Sequence, residues 1–253
     1  MPDIPQPQIL EAQVRSHPYP LLFSTISGAH LYGFPSPDSD FDLRGAHVLP
    51  ASNVVGLDLG DETLQRSEVV EGVEVDLVTH DVRKFFTLML RRNGYVLEQL
   101  YSPLVVSASP EFQELKELGK GCVTKHHVHH YAGFANTEWG LFRKLPEPRA
   151  KPLLYVYRVL LTGIHLMRTG RVEADLPSLA EEYGEYFLRE LIGFKRTGLE
   201  KGALVHPELD FHQRNFDRLM ERLYDESAKS DLPGEPSAKP ALNDLLVRIR
   251  LGG

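Results

Sequence analysis

The run Leu21 to Ile26, LLFSTI, is apolar and β-branched, carries no charge and stops at Ser27-Gly28, so it predicts a short strand at the centre of a sheet. Beyond it Pro35 and Pro37 impose irregular backbone, since proline locks its own φ and pushes its predecessor out of the helical region. DFDLRGAHV then alternates: Phe41 and Leu43 point one way and Asp40, Asp42 and Arg44 the other, the period of a half-exposed strand. A third alternating run, Val73 to Thr79, sets Val73, Val75 and Leu77 against Glu74 and Asp76. Asp81 is placed to cap a helix through VRKFFTLMLRRN, where Val82, Phe85, Phe86 and Met89 recur at helical spacing before Gly94. Glu98 to Tyr101 predicts one more helical turn ahead of Pro103.

From Glu111 the pattern turns helical: Glu111 to Leu118, a His-rich stretch from Lys125 into YAGFANTEWGLFRKL, Leu153 to Arg168, Leu176 to Lys195 and Phe211 to Tyr224. Strands and helices followed by helices alone predict an α+β protein: an α/β lobe with a small mixed sheet over residues 1–105, then a helical lobe over 106–253. The opening, MPDIPQPQ, reads as a loose proline-rich arm. Asp225 to Lys239 is polar and proline-containing, which predicts a mobile connector at about 225–240 before a final helix in ALNDLLVRIRLGG.

Composition narrows the classes. The 253 residues are 42% hydrophobic and 25% charged, enough for a sizeable core, and no repeat points to a solenoid or propeller. The single cysteine, Cys122, has no partner in the chain and no secretory leader pattern opens it, so a reducing, cytoplasmic setting is expected. No apolar run approaches the ~20 residues of a membrane helix. With a net charge of -7, a nucleic-acid partner would need a local basic patch.

Asp40 and Asp42 carry the candidate chemistry. Two carboxylates at i and i+2 on one strand face repel unless protons or a cation neutralise them, and a hard divalent ion with oxygen ligands suits them. Asp76, on another strand, is the best third acid, and three such acids can support two-metal phosphoryl transfer. Arg44 alternates onto the same face, where it can neutralise the empty pair. The turn Ser27-Gly28-Ala29-His30 brings backbone N–H groups where glycine permits close approach to phosphate, and Gly33 lets the chain leave it. An Asp-x-Asp pair is also common on a solvated strand, where it binds nothing.

The strings SGAHLYGFPSPDSDFDLRG, GVEVDLVTHDVRKFF and NGYVLEQLYSP resemble the RlaP/YcgL group of nucleotidyltransferases in the DNA polymerase β superfamily. The resemblance matches Gly28 to the superfamily glycine, Asp40 and Asp42 to its acid pair, and Asp76 to its third acid. It implies Mg²⁺, with Mn²⁺ as a substitute, held by Asp40, Asp42 and Asp76, and a nucleoside triphosphate cradled at Ser27, Gly28 and Ala29. Asp76 would also help deprotonate the acceptor hydroxyl. The family carries serine where this chain has Ala29, a loss of one hydrogen bond to a charged group, about 1.5 to 3 kcal/mol, that weakens nucleotide binding without removing the acids. Ser27 or His30 can compensate. Ser39 and Arg44 complete the family's Ser-Asp-x-Asp-x-Arg string; the resemblance implies substrate contact, with Ser39 among the nucleotide-binding residues, and turn tightening and acid pairing are the plainer roles.

In the helical half, Lys151, Tyr155 and Arg158 share a helix face by their spacing; the resemblance extends to them as nucleotide contacts in a lobe that closes over the substrate. An amphipathic helix with Tyr155 at the core edge explains them equally well. His126 and His130 stand at zinc-ligand spacing without a zincin glutamate or a third ligand, so a solvated or RNA-facing patch is expected, with Lys125, Arg91, Arg92 and the Arg143 to Lys151 segment. Trp139 and Phe142 are expected to pack in the core. The expected function is therefore Mg²⁺-dependent transfer of a nucleoside monophosphate to a hydroxyl, with RNA ends as the acceptor the resemblance implies. Adenylylation of a protein or small molecule, and a catalytically silent nucleotide sensor, are the alternatives.

Overall fold

The computed structural model describes residues 5–147, 149–198 and 208–252. Helix α1 (Pro7–Arg15) stands where the opening reads as a loose arm, the first four residues of which lie outside the described ones. Pro7 occupies the first turn, where an absent N–H costs nothing, and Leu10 is buried under the sheet. β1 (Leu21–Ile26) falls on the predicted run. After α2 (Gly28–Leu31) comes β2 (Phe41–His47), antiparallel to β1. A short α3 (Ser52–Val55) leads to β3 (Thr63–Val70) and β4 (Val73–Asp81), joined by Glu71-Gly72 with φ of 53 and 82, the left-handed pair that a tight hairpin requires. α4 (Val82–Leu90), α5 (Gly94–Tyr101), β5 (Val105–Ala108) and α6 (Phe112–Lys120) follow.

The five strands form one mixed sheet in the order β3-β4-β2-β1-β5, in which only the β2 and β4 pair is parallel. On one face Ile26, Phe41, Leu43, Val75 and Leu77 form a buried cluster with Leu10 of α1. On the other, Phe23 meets Phe85 edge-on at 5.2 Å and stacks on Phe112 at 4.9 Å. Each fully buried Leu, Ile or Phe contributes roughly 1.5–3 kcal/mol. Asp81 caps α4 as expected, accepting the Arg83 N–H at 3.0 Å. Asn93 caps α5 in the same way, which extends the predicted turn at Glu98 back to Gly94.

The described chain forms two compact units, residues 5–31, 40–123 and 235–252 in one, and 32–39 with the described part of 124–234 in the other. The boundary expected near 105 therefore moves. β5 returns to pair with β1, and Phe112 follows it into the sheet core, so α6 stays with the first unit.

The second unit holds α7 (Val128–Lys144), α8 (Ala150–Thr169), α9 (Leu176–Tyr183), α10 (Leu188–Thr197) and α11 (Leu209–Lys229). α8 is apolar on most of its circumference and is surrounded by the other four. Gly184, at φ 75, splits the single helix expected from Leu176 to Lys195 into α9 and α10. Trp139 stacks on Phe216 at 5.1 Å and on Phe142 at 5.5 Å, in the core as expected.

The expected connector is not a loose segment. Residues 225–229 complete α11, the Ser230 hydroxyl donates to the Met167 carbonyl at 2.6 Å, and the Lys125 N–H donates to the Pro233 carbonyl at 3.1 Å. Further on, the Ser237 N–H donates to the Gly121 carbonyl at 2.9 Å. Its polar composition marks a surface path whose backbone is tied down. The final helix, α12 (Lys239–Leu251), docks in the first unit through Arg250, which grips both oxygens of Asp81 at 2.8 and 2.9 Å.

Candidate active site

The parallel register of β2 and β4 sets Asp42 directly opposite Asp76. Arg44 closes the gap between them. Its Nη2 donates to Asp42 Oδ1 at 2.5 Å and Asp76 Oδ2 at 2.9 Å, its Nη1 to the main-chain oxygens of Asp76 at 2.6 Å and Leu43 at 2.9 Å, and its Nε to the Tyr95 hydroxyl at 3.2 Å. The Ser67 hydroxyl and Gln65 Nε2 donate to Asp76 Oδ1 at 2.6 and 3.3 Å. Burial pushes the Asp76 carboxyl up, but Ser67, Arg44 and Gln65 outweigh it and hold the group below its ordinary value. Burial likewise opposes the Arg44 charge, and Tyr95, Asp42 and Asp76 raise it above its usual range.

Asp40 is half-buried and lies one residue ahead of β2, while the register of β2 and β4 adds Asp76 opposite Asp42. Among the described residues no three His, Cys, Asp or Glu side chains are grouped to hold a metal ion. The donor chemistry nevertheless fits a hard cation at Asp42 and Asp76: two carboxylates face each other, each side chain is one-fifth accessible, and a cationic group already bridges them. Tyr95, Ser67 and Gln65 were not legible as site residues in the sequence. Ser67 and Gln65 reach the site through the register of β3 against β4, which places Ser67 opposite Asp76.

Gly28 belongs to the same site. Its φ of 62 is left-handed, and a Cβ there would lie 1.9 Å from Asp42 Oδ2, so the turn and the acid meet only because residue 28 has no side chain. The Ser27 N–H donates to the Asp42 carbonyl at 2.8 Å, and the Ser27 hydroxyl is wholly buried with no protein hydrogen-bond partner among the described residues. Ala29 is buried as well, and the His30 ring stacks on Phe41 at 4.1 Å. The turn is thus packed into the strand that bears the acids.

The remaining expected contacts lie in the second unit. Ser39 takes its plainer role: its Oγ accepts the Ser36 N–H at 2.9 Å and meets the Ser36 hydroxyl at 3.0 Å. The buried Lys195 donates to that same Ser36 hydroxyl at 2.5 Å. Gly33, at φ 77, leaves its turn as expected. On α8, Arg158 is buried with its guanidinium 3.9 Å from the Tyr32 ring centre, while Tyr155 packs edge-on against Tyr32 and Phe34. Lys151 is half-buried one turn earlier.

The histidine cluster is solvated in part: Lys125 and His129 are exposed. His127 is buried and shares hydrogen bonds with Thr124 at the head of α7, because the 3-10 turn Lys125–His127 requires a cap. His130 is half-buried, and burial with the nearby Arg158 charge pushes its imidazole down to about 4. His126 lies in the 3-10 turn that leads into α7, and its ring stacks with that of His129 at 6.0 Å. Of the expected basic patch, Arg92 pairs with Glu235 at 2.8 Å. No helix among the described residues is long and apolar enough to cross a membrane.

Known proteins resemble this chain over much of its length. The family model described as the RNA repair pathway DNA polymerase beta family, RlaP, matches residues 5–248. An uncharacterised protein of Methanocaldococcus jannaschii is 31% identical over 159 residues, covering 62% of this chain and 64% of the relative, so the chain spans less than two thirds of that protein. The uncharacterised protein YcgL of Bacillus subtilis is 26% identical over 247 residues, 92% of this chain and 90% of the relative. A solved nucleotidyltransferase-like protein from Exiguobacterium sibiricum aligns with 88% of this chain and 73% of its own at a TM-score of 0.32 and 11% identity. With the family match running over nearly its whole length, the chain belongs to the RNA repair pathway DNA polymerase beta family.

Proposed function

We propose that this chain is a nucleotidyltransferase that moves a nucleoside monophosphate from a nucleoside triphosphate to a hydroxyl acceptor. The observation that carries the reading is the register of β2 and β4, which pairs Asp42 with Asp76 beside a left-handed glycine turn. In the reaction the acceptor oxygen bonds to the α-phosphorus, the bond from that phosphorus to the bridging oxygen breaks, and pyrophosphate leaves with its electron pair. Asp42, Asp76 and Asp40 would hold Mg²⁺ or Mn²⁺, which when bound neutralises phosphate charge. Asp76, held ionised by Ser67 and Gln65, would accept the hydrogen bond of the acceptor hydroxyl and take its proton as the oxygen–phosphorus bond forms. Gly28 and Ala29 are the proposed backbone N–H contacts of the triphosphate, next to Ser27, whose own N–H is held by the Asp42 carbonyl. Lys151, Tyr155 and Arg158 are the proposed further nucleotide contacts, of which the half-buried Lys151 and Tyr155 are the more accessible.

The family's description supports RNA ends as the acceptor, in RNA repair. The test is an acceptor screen with each α-labelled nucleoside triphosphate and Mg²⁺ or Mn²⁺, offered RNA oligonucleotides, lysate protein or no acceptor. Label on RNA that disappears in Asp42→Asn and Asp76→Asn is the expected result. Label on protein alone replaces RNA with protein as acceptor, and no transfer to any acceptor leaves a nucleotide-sensing module.

A further inference from the structure

The facing carboxylates that this chemistry requires are already bridged, and half neutralised, by a group of the chain itself. All five N–H donors of the Arg44 guanidinium are committed: two to the facing acids, two to main-chain oxygens and one to Tyr95. Nη2 stands between Asp42 Oδ1 and Asp76 Oδ2. A divalent cation held by Asp42 and Asp76 would have to enter the space that the guanidinium fills, and a guanidinium cannot lose its charge to make room. From this geometry we infer that Arg44 is a resident counter-ion that competes with the divalent cation for the Asp42 and Asp76 pair and must withdraw when the site loads. The inference rests on the reading of that pair as the cation site of a nucleotidyltransferase.

The surroundings are built for such an exchange. Asp76 keeps a second set of donors, Ser67 and Gln65, on the oxygen that Arg44 does not touch, so its carboxylate stays in place once the guanidinium leaves. Tyr95, on α5, fixes Arg44 from a different element than the acids and sets how readily it departs. In the resting site the acids do not repel, and stray divalent cations must displace a hydrogen-bonded fork to enter. Once displaced, the guanidinium is a cation beside the site, available to an anionic ligand.

Mn²⁺ titration followed by electron paramagnetic resonance tests this on the full chain without nucleotide, using wild type, Arg44→Gln, Tyr95→Phe and Asp42→Asn. Arg44→Gln is expected to tighten the apparent Kd by well over tenfold, and Tyr95→Phe, which leaves every charge unchanged, by about tenfold, the lower end for losing one bond to an ionised group. Asp42→Asn abolishes the high-affinity site. Thermal unfolding supplies a second readout: Arg44→Gln unfolds at lower temperature than wild type without metal and recovers more on adding Mn²⁺. If Arg44→Gln does not fold, Tyr95→Phe decides. Equal or weaker Mn²⁺ binding in the variants, with wild type binding well, overturns the competition while leaving the cation site standing. Absence of Mn²⁺ binding in every protein overturns both.

Discussion

Gly28 is the residue at which backbone and chemistry are least separable. Alanine there must hold φ 62 and place a methyl 1.9 Å from Asp42 Oδ2, so one of the two has to move. Gly28→Ala is expected to cost about 1–2 kcal/mol for the left-handed backbone alone, and more for the displaced carboxylate, read as a lower unfolding midpoint together with lost Mn²⁺ binding. His47 gives a pH signature. It is fully buried, its Nδ1 meets the Thr79 hydroxyl at 2.9 Å, and burial with the facing His17 lowers its pKa to about 4, with Asp81 opposing and His80 and Arg250 adding to the effect. Because the folded group is harder to protonate than the unfolded one, its contribution is present above about 6.5 and is lost as pH falls toward about 4. The unfolding free energy should fall by up to about 1.4 kcal/mol per pH unit across that window, a slope that denaturant titrations would show flattened in His47→Asn. Cys122, buried and pushed up to about 12, should resist thiol reagents until the chain unfolds. At this scale Asp42, Asp76 and Gly28 were legible as candidates from type and spacing. Tyr95 was not, because its role depends on a partner 51 positions away.

Among the elements, α12 has the most definite energetic role. Asp81 caps α4, accepts the Leu49 N–H at 3.2 Å and receives both Arg250 bonds, with Asp81 almost wholly buried. Arg250→Ala leaves that carboxylate without its counter-charge and is expected to destabilise the chain by about 3–5 kcal/mol, measured by urea unfolding. The elements that the sequence discloses are those whose period matches their burial: β1, β2, β4 and α4 fall where alternation or helical spacing puts them. β3 escaped because an edge strand buries little, and Thr63, Gln65, Arg66 and Ser67 leave no apolar alternation to follow. α1 was hidden by Pro5 and Pro7, which are compatible with a helix's first turn but suggest a coil.

For the whole molecule, the mixed sheet with added helices follows from the order of the patterns, whereas the division into units does not, since β5 and α12 return to the sheet from positions remote in sequence. The net charge of -7 sets a condition on the acceptor: an RNA must bind through a local surface, while a protein or small molecule need not. The central claim, transfer of the nucleoside monophosphate, is tested most directly by giving the wild-type chain, Mn²⁺ and an acceptor either α-labelled or γ-labelled nucleoside triphosphate. The account predicts acceptor labelling from the α position only, pyrophosphate released in equal amount, and loss of both in Asp42→Asn and Asp76→Asn. Label arriving from the γ position, or transfer that survives both substitutions, would contradict it.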